Sequence, residues 1–413
     1  MMHRLRAVHS FPAGKEGEPC DEQDADRMGY YCPQQLAGQR QVAIQQLLAR
    51  LNGSTTKPIA LQLQFAYYLF LYDDPASAAQ VLEMAHKAEP GNDEVLRNLC
   101  ACLSRAGQYE LAVARLQTLL QRVPDDFHAL DALCASLAKL DRYDEAAQAG
   151  TRSLTLKARS AGKVPPSWSL PAAEPAVWLA DGSRKPDVIA FSLWGSGPRY
   201  LRGAIDNVLA AAYLYPGWQV RFYVDESVPA ELLAALRELG AELLLQPAGQ
   251  PLRQRLCWRF QVANDPLVGR FLVRDVDSVP GVRERLAVQE WLASTRWFHI
   301  MRDWWSHTDL VLAGMWGGVA GVLPPLAPLL EGYQPDVMET PNIDQWFLRD
   351  RLWGYLSQSC LVHDRCFTPP GAMPWPQPAP GGSEHVGQDI FTAQREPQAR
   401  RLAPWIARLP CLR

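Results

Sequence analysis

Between about Ile59 and Ala158 this chain repeats itself with a period of 34 residues. Pro90 and Pro124 match at that spacing, as do Tyr109 and Tyr143. So do Ala78, Ala112 and Ala146, then Leu99 and Leu133, then Leu103 and Leu137. A period of this length fits one pair of helices per unit, and such a unit hides its apolar face only against a neighbour. Gly107-Gln108-Tyr109 and Asp141-Arg142-Tyr143 read as the turns inside two of the units. A proline after each second helix stops that helix, because it lacks the N–H the next turn needs. Small alanines at the recurring position let the paired helices approach closely.

Period and pattern resemble the tetratricopeptide repeat (TPR), although the tryptophan of the consensus first helix is absent. Three units are expected, with a capping unit from Gln34 to Leu51 ahead of them. The resemblance implies a concave surface that receives a protein or peptide. A plain helical platform is the competing reading, and nothing in the sequence names a ligand.

The repeat accounts for only part of 413 residues, a length that suggests two or three domains. An apolar share of 48% and a charged share of 21% are globular values. A formal net charge of −3 provides no footprint for nucleic acid or an anionic membrane surface. No apolar run is long enough for a membrane span. Residues 1–30 have basic residues without the apolar core of a secretory signal, and read as a mobile leader. The nine cysteines contain no C-x-x-C pair, and Cys100, Cys102 and Cys134 lie in amphipathic helical sequence. They are expected to be reduced, and the location cytoplasmic.

Residues 159–186 are rich in Ser, Pro, Ala and Gly and read as a linker after a repeat domain over 31–158. Strands and helices then alternate. Asp187–Leu193 reads as a buried strand and Tyr200–Tyr215 as a helix. Gln219–Val224 reads as a strand, Pro229–Leu239 as a helix, Ala241–Leu245 as a strand, Trp258–Asn264 as helical and Arg270–Val273 as a strand. Such alternation predicts a mostly parallel sheet covered on both faces, with ligands at the carboxyl ends of the strands. The expected class is therefore α followed by α/β.

At one strand end stands Arg274-Asp275-Val276-Asp277-Ser278. Two carboxylates one residue apart suit a hard divalent cation that also grips substrate phosphates. An Asp-x-Asp also occurs in solvated turns, so the strand context carries the reading. Ser192, Trp194 and Asp225 fall at neighbouring strand ends. A dinucleotide fingerprint is absent, since Gly195-Ser196-Gly197-Pro198 has no third glycine, and there is no phosphate loop of the Walker type.

Residues 187–367 resemble the GT-A class of nucleotide-sugar glycosyltransferases, a Rossmann-like α/β fold with an Asp-x-Asp motif. The residues that carry the likeness include Ser192-Leu193-Trp194-Gly195, Phe222-Tyr223-Val224-Asp225 and Trp258-Arg259-Phe260. They continue through Arg274–Ser278, Arg283-Glu284, Phe298–Asp303, His307 and Gly314-Met315-Trp316-Gly317. The resemblance implies that Asp275, Asp277 and His363 hold Mn²⁺ or Mg²⁺, the histidine tilting preference toward Mn²⁺. It implies a donor pocket bordered by Ser192, Trp194, Tyr223, Asp225, Arg259, Arg274, Asp275 and Gln345. Asp344, in Asn342-Ile343-Asp344-Gln345, matches a carboxylate near the donor sugar, as a catalytic base or a donor-positioning group; as a helix cap it would serve structure alone. The aromatic and ionisable run from Trp297 to His307 reads as an acceptor-side wall, with Arg302, Asp303, His307 and Trp316 as its polar and aromatic contacts, or as a packed strand and loop.

After Phe367 a proline-rich stretch leads to a basic end, so 368–413 is set apart. Leu402, Trp405, Ile406 and Leu409 recur at helical spacing there and suit docking onto the body. The resulting expectation is a metal-dependent transferase moving a sugar from a nucleoside-diphosphate donor to an acceptor, a protein or peptide brought by the repeats. Its rival is an interaction scaffold with a GT-A-like domain that has lost catalysis.

Overall fold

The computed structural model describes residues 40–173, 177–333, 342–379 and 381–413. The leader, the start of the capping unit before Arg40, and Pro341 lie outside them. The described residues divide into two compact units, those of 40–156 and those of 157–413.

In the first unit α1 (Arg40–Gly53) is followed by three helix pairs. These are α2 (Ile59–Leu71) with α3 (Pro75–Ala88), α4 (Asp93–Arg105) with α5 (Tyr109–Arg122), and α6 (Phe127–Lys139) with α7 (Tyr143–Ser160). The repeat extends to the backbone. Asp73, Gly107 and Asp141, spaced at the repeat period, all turn with positive φ, at 65°, 79° and 57°. Short polar side chains and glycine tolerate that conformation. Asn92 and Asp126 also correspond; each caps the next helix, accepting from Val95 N at 3.1 Å and from Ala129 N at 3.1 Å. The recurring alanines, Ala78, Ala112 and Ala146, are fully buried.

The second unit holds one eight-stranded sheet, ordered β3-β2-β1-β4-β6-β5-β7-β8. Its strands are β1 (Asp187–Leu193), β2 (Trp218–Val224), β3 (Glu242–Leu245), β4 (Arg270–Arg274), β5 (Phe298–Arg302), β6 (Met315–Val319), β7 (Cys360–Asp364) and β8 (Ala372–Met373). Strand β1 is parallel to β2 and β4, whereas β6 runs antiparallel between β4 and β5. The sheet is thus mixed but mostly parallel. Every residue of β1 is buried, as expected of a central strand covered on both faces. Phe191 stacks on Phe222 at 5.1 Å in this core.

Chain order runs outward from β1 through β2 to β3, then returns to the other side of β1 at β4. That reversal opens a crevice at the carboxyl ends of β1 and β4, the place where sheets of this kind bind ligands. Helix α8 (Pro198–Leu214) follows β1, α9 (Ala230–Glu238) follows β2, and α11 (Val282–Ala293) follows the Asp-x-Asp loop. Between β3 and β4 lie α10 (Leu252–Cys257) and a 3₁₀ segment, Trp258–Asn264.

The stretch read as a linker packs on this unit, with Trp168 edge-on to Tyr355 at 4.9 Å. The basic end folds back as short helices, burying Leu402, Leu409 and Leu412 in the core. Among the described residues no helix is long and apolar enough to cross a membrane.

Helix α8 lies hard against the loop after β4. A Cβ at Gly203 would fall 2.0 Å from the Val276 carbonyl oxygen. Asn207 Nδ2 donates to that same oxygen at 3.0 Å. Alanine in a helix interior gains about 0.5–1 kcal/mol over glycine, but backbone overpacking costs about 1–3 kcal/mol. Gly203→Ala is therefore expected to destabilise the second unit, seen as a lower urea midpoint; an unchanged or higher midpoint would refute the close approach.

Candidate active site at the strand ends

Arg259 is where the rim residues meet. It sits in the 3₁₀ segment, is 4% exposed, and its backbone N–H donates to Ser192 Oγ at 3.0 Å. Ser192 Oγ in turn donates to the Leu256 carbonyl at 3.3 Å, closing the end of β1 onto α10. The Arg259 guanidinium spans three groups. Nη1 donates to the Arg274 carbonyl at 3.0 Å and to Asp275 Oδ1, and Nη2 donates to Asp344 Oδ2 at 3.0 Å. Ser192, Arg259, Asp275 and Asp344 thus form one cluster at the crevice.

Asp344 is buried in the first turn of α12 (Ile343–Phe347) and also accepts from Gln345 N at 2.9 Å. Asn342, not Asp344, precedes the helix as its cap residue. Burial raises the Asp344 carboxyl to about 6; Arg259 opposes the rise and the Asp275 charge adds to it. One cation faces two carboxylates, and the buried one carries the excess. Asp275 is the open member, its side chain 44% exposed.

Asp277 pairs with Arg199, which donates to Oδ2 from both Nε, at 2.9 Å, and Nη2. Arg199 also reaches Asp389 at 3.4 Å, and Ile390 N donates to the Asp277 carbonyl at 3.0 Å. Burial and Asp275 raise the Asp277 carboxyl, while Arg199 lowers it. A Cβ at Gly314 would lie 2.1 Å from Asp275 Oδ2, so the glycine makes room for that carboxylate. Arg199 and Gly314 were not singled out as site residues from sequence. Gly314 belongs to the Gly314-Met315-Trp316-Gly317 run of the resemblance, and Arg199 carries no sequence signal beyond its place behind β1.

Other candidates lie on the rim without joining the cluster. Asp225 Oδ1 accepts from Ser227 N at 3.0 Å and from Ser227 Oγ, which accepts from Gly195 N at 2.6 Å. It braces the β1 and β2 loops. Trp194 is half-buried, edge-on to Trp258 at 6.0 Å, with Arg255 5.8 Å above its ring. A cavity of about 260 Å³ lies alongside, lined by Gln254, Trp258, Phe260, Gln261 and Phe347 among others.

Several expected residues are elsewhere. Arg274 turns to the buried side, because adjacent strand residues face opposite ways; its Nε donates to Glu284 at 2.6 Å, and Tyr215 OH donates to the same carboxylate oxygen. Tyr223 is 2% exposed, and burial pushes its hydroxyl up to about 12. His363 lies on β7, three strand positions from β4, or about 14 Å at ordinary strand spacing. Its nitrogens meet His299 Nε2 and Glu290 Oε2, each at 2.8 Å. It does not join the aspartates, so no imidazole tilts that pair toward Mn²⁺.

The acceptor-side wall is likewise a buried network. Arg302 Nε donates to Asp364 at 2.6 Å. Asp303 accepts from Arg283 and from Val386 N at 2.7 Å. His307 Nδ1 accepts from Asp303 N at 2.9 Å, and burial drives its pKa down to about 3. Trp316 is fully buried, edge-on to Phe260 and Phe271 at 5.5 and 5.2 Å. These groups brace the loop after β5.

For a metal, Asp275 and Asp277 each keep one carboxylate oxygen outside the arginine pairs above. Two carboxylates fit Mg²⁺, which usually completes its shell with water and substrate phosphate. Among the described residues no group of three or more His, Cys, Asp or Glu stands ready to hold a metal.

The folded Asp344 takes its proton near 6 and the unfolded one near the usual carboxylate value of about 4. The folded state therefore binds more protons in that window, and this contribution to stability is lost as pH rises from about 4 to 6. Asp344→Asn lacks it. Acidification across the window should favour the native protein over the variant by roughly 2–3 kcal/mol, read from urea midpoints. A constant difference would refute the shift.

Comparison with curated proteins finds no match. Among solved structures the chain is similar to residues 41 to the end of MamA from Desulfovibrio magneticus RS-1, at 19% identity, over 32% of this chain and 70% of that one, with a TM-score of 0.28. MamA MSR-1 gives 22%, 29%, 68% and 0.26 in the same order. A mutant of the Thermobaculum terrenum O-GlcNAc transferase gives 15%, 61%, 53% and 0.34. Scores this low carry no argument about fold or activity. Residues 69–137 match the model of the tetratricopeptide repeat, so the helical stack of the first unit contains tetratricopeptide repeats.

Proposed function

We propose that the second unit is a GT-A-like glycosyltransferase that binds a nucleoside-diphosphate sugar at the crevice beside β1 and β4. The observation that carries this reading is the Arg259 cluster, which gathers Ser192, Asp275 and Asp344 at a topological switch point. In the reaction an acceptor hydroxyl oxygen bonds to the anomeric carbon, the bond from that carbon to the diphosphate breaks, and the diphosphate leaves with the electron pair. Asp275 and Asp277 would hold Mg²⁺ or Mn²⁺, which when bound neutralises diphosphate charge. Arg259 keeps Asp275 in place, and Arg199 keeps Asp277 in place. Asp344, ionised above about pH 6, accepts the hydroxyl proton if the configuration inverts; if it is retained, Asp344 positions the donor and the proton passes to the departing diphosphate. The acceptor is a protein or peptide delivered by the repeat unit.

One observation favours the scaffold alternative: both aspartates are already engaged by arginines. Calorimetry with a panel of nucleotide sugars and Mg²⁺ or Mn²⁺ separates the two. The transferase reading expects one donor to bind, with chelation or Asp275→Asn plus Asp277→Asn weakening it about tenfold or more. For an inverting enzyme it also expects donor turnover to fall as pH drops through about 6 and to vanish in Asp344→Asn. Binding that survives both chelation and the double substitution would overturn it.

A further inference from the structure

Trp194 stands just past the carboxyl end of β1, two residues beyond Ser192, and the Arg255 guanidinium lies 5.8 Å from the centre of its ring. Arg255 belongs to α10 and precedes Leu256, whose carbonyl accepts from Ser192 Oγ at 3.3 Å. It comes four residues before Arg259, about one helical turn. Strands β1 and β4 are parallel neighbours, so Trp194 and Asp275 leave the sheet on the same rim. Arg255 therefore stands on the β1 side of the crevice that Arg259 braces.

The arginines of the crevice differ in what holds them. Arg259 is committed to Asp275 and Asp344, and Arg199 to Asp277, with Asp389 at 3.4 Å. The Arg255 side chain has neither a hydrogen bond nor an ion pair among the described residues, and its Nε is enclosed without an acceptor. It rests on the Trp194 ring, whose face attracts a cation without accepting its N–H groups in the plane of the guanidinium. The side chain is half-buried, and enclosed donors without acceptors are uncommon in folded proteins. Packing on Trp194 thus accounts for where Arg255 lies and leaves its charge unused.

A guanidinium is planar, always charged, and presents its N–H groups in a fork that matches phosphate oxygens. We infer that Arg255 is a phosphate-binding residue, holding the diphosphate of the donor from the β1 side of the crevice, with the Asp275 and Asp277 carboxylates on the β4 side. The choice of phosphate rests on the transferase reading proposed above. Trp194 is then the platform that aims the guanidinium.

The test is calorimetry of inorganic pyrophosphate with Mg²⁺ on the full chain, which is expected to bind it. Arg255→Met keeps an apolar stem over Trp194 and should weaken binding about tenfold or more. Arg255→Gln carries the same test should Arg255→Met not fold, as read from urea midpoints. Arg237→Met removes the same charge from the exposed last turn of α9 and should leave binding within about twofold. A native chain that does not bind pyrophosphate, equal binding by the native and Arg255 variant proteins, or equal loss in Arg237→Met would overturn the inference. If pyrophosphate binds through Arg255 and no nucleotide sugar binds, the inference stands and the transferase reading fails. If a nucleotide sugar binds and the Arg255 variant holds it as tightly as the native chain, the inference fails and the transferase reading stands.

Discussion

The buried guanidinium of Arg259 is the constraint from which the crevice takes its shape. It holds Asp275 at the end of β4 and Asp344 in α12, while its backbone N–H ties down Ser192 at the end of β1. Removing one partner of a buried pair leaves an uncompensated charge, at a cost of about 3–5 kcal/mol. Here one cation serves two carboxylates, so the balance is incomplete even with all three present. The deficit falls on Asp344, the buried one, while Asp275 lies at the open face. A cluster short of positive charge suits a site that receives a cation or a cation-bearing ligand.

The backbone around this cluster is packed as tightly as its charges. Gly203 admits the Val276 carbonyl against α8, and Gly314 admits the Asp275 carboxylate against the approach to β6. Asn207 then secures the Asp-x-Asp loop from α8, and Arg199 secures Asp277 from the first turn of the same helix. The loop is therefore held from both sides before any ligand arrives. Preorganisation of that kind is what a binding site needs if binding energy is not to be spent on ordering it.

Much of this was legible from sequence wherever the controlling contacts are local. The repeat could be read because each unit's helices, turn and stop recur with the period, down to Asp73, Gly107 and Asp141 at the left-handed turns. Strands β1, β2 and β4 were apolar runs, and Ser192, Asp275 and Asp344 followed from strand ends and a short resemblance. The antiparallel β6 was not readable, since Met315–Val319 carries two glycines, one of them within 2.5 Å of the Phe271 carbonyl if given a Cβ. The run from Trp297 to His307 misled for a different reason. Its charges resemble a binding wall until their partners are known, and Arg302 finds Asp364 across 62 residues of chain. Partners that distant are set by sheet order, which a single sequence does not state. His363 failed likewise, placed strands away by the insertion of β6 and β5.

Arg259 couples Asp344 to Asp275 in one electrostatic unit. The most direct measurement is the carbon-detected NMR titration of the Asp344 carboxyl in the native chain and in Arg259→Met. The native chain should show an apparent pKa near 6 and the variant a higher one, because the cation that opposes the shift is gone. A pKa unchanged or lowered in a folded Arg259→Met protein would contradict it.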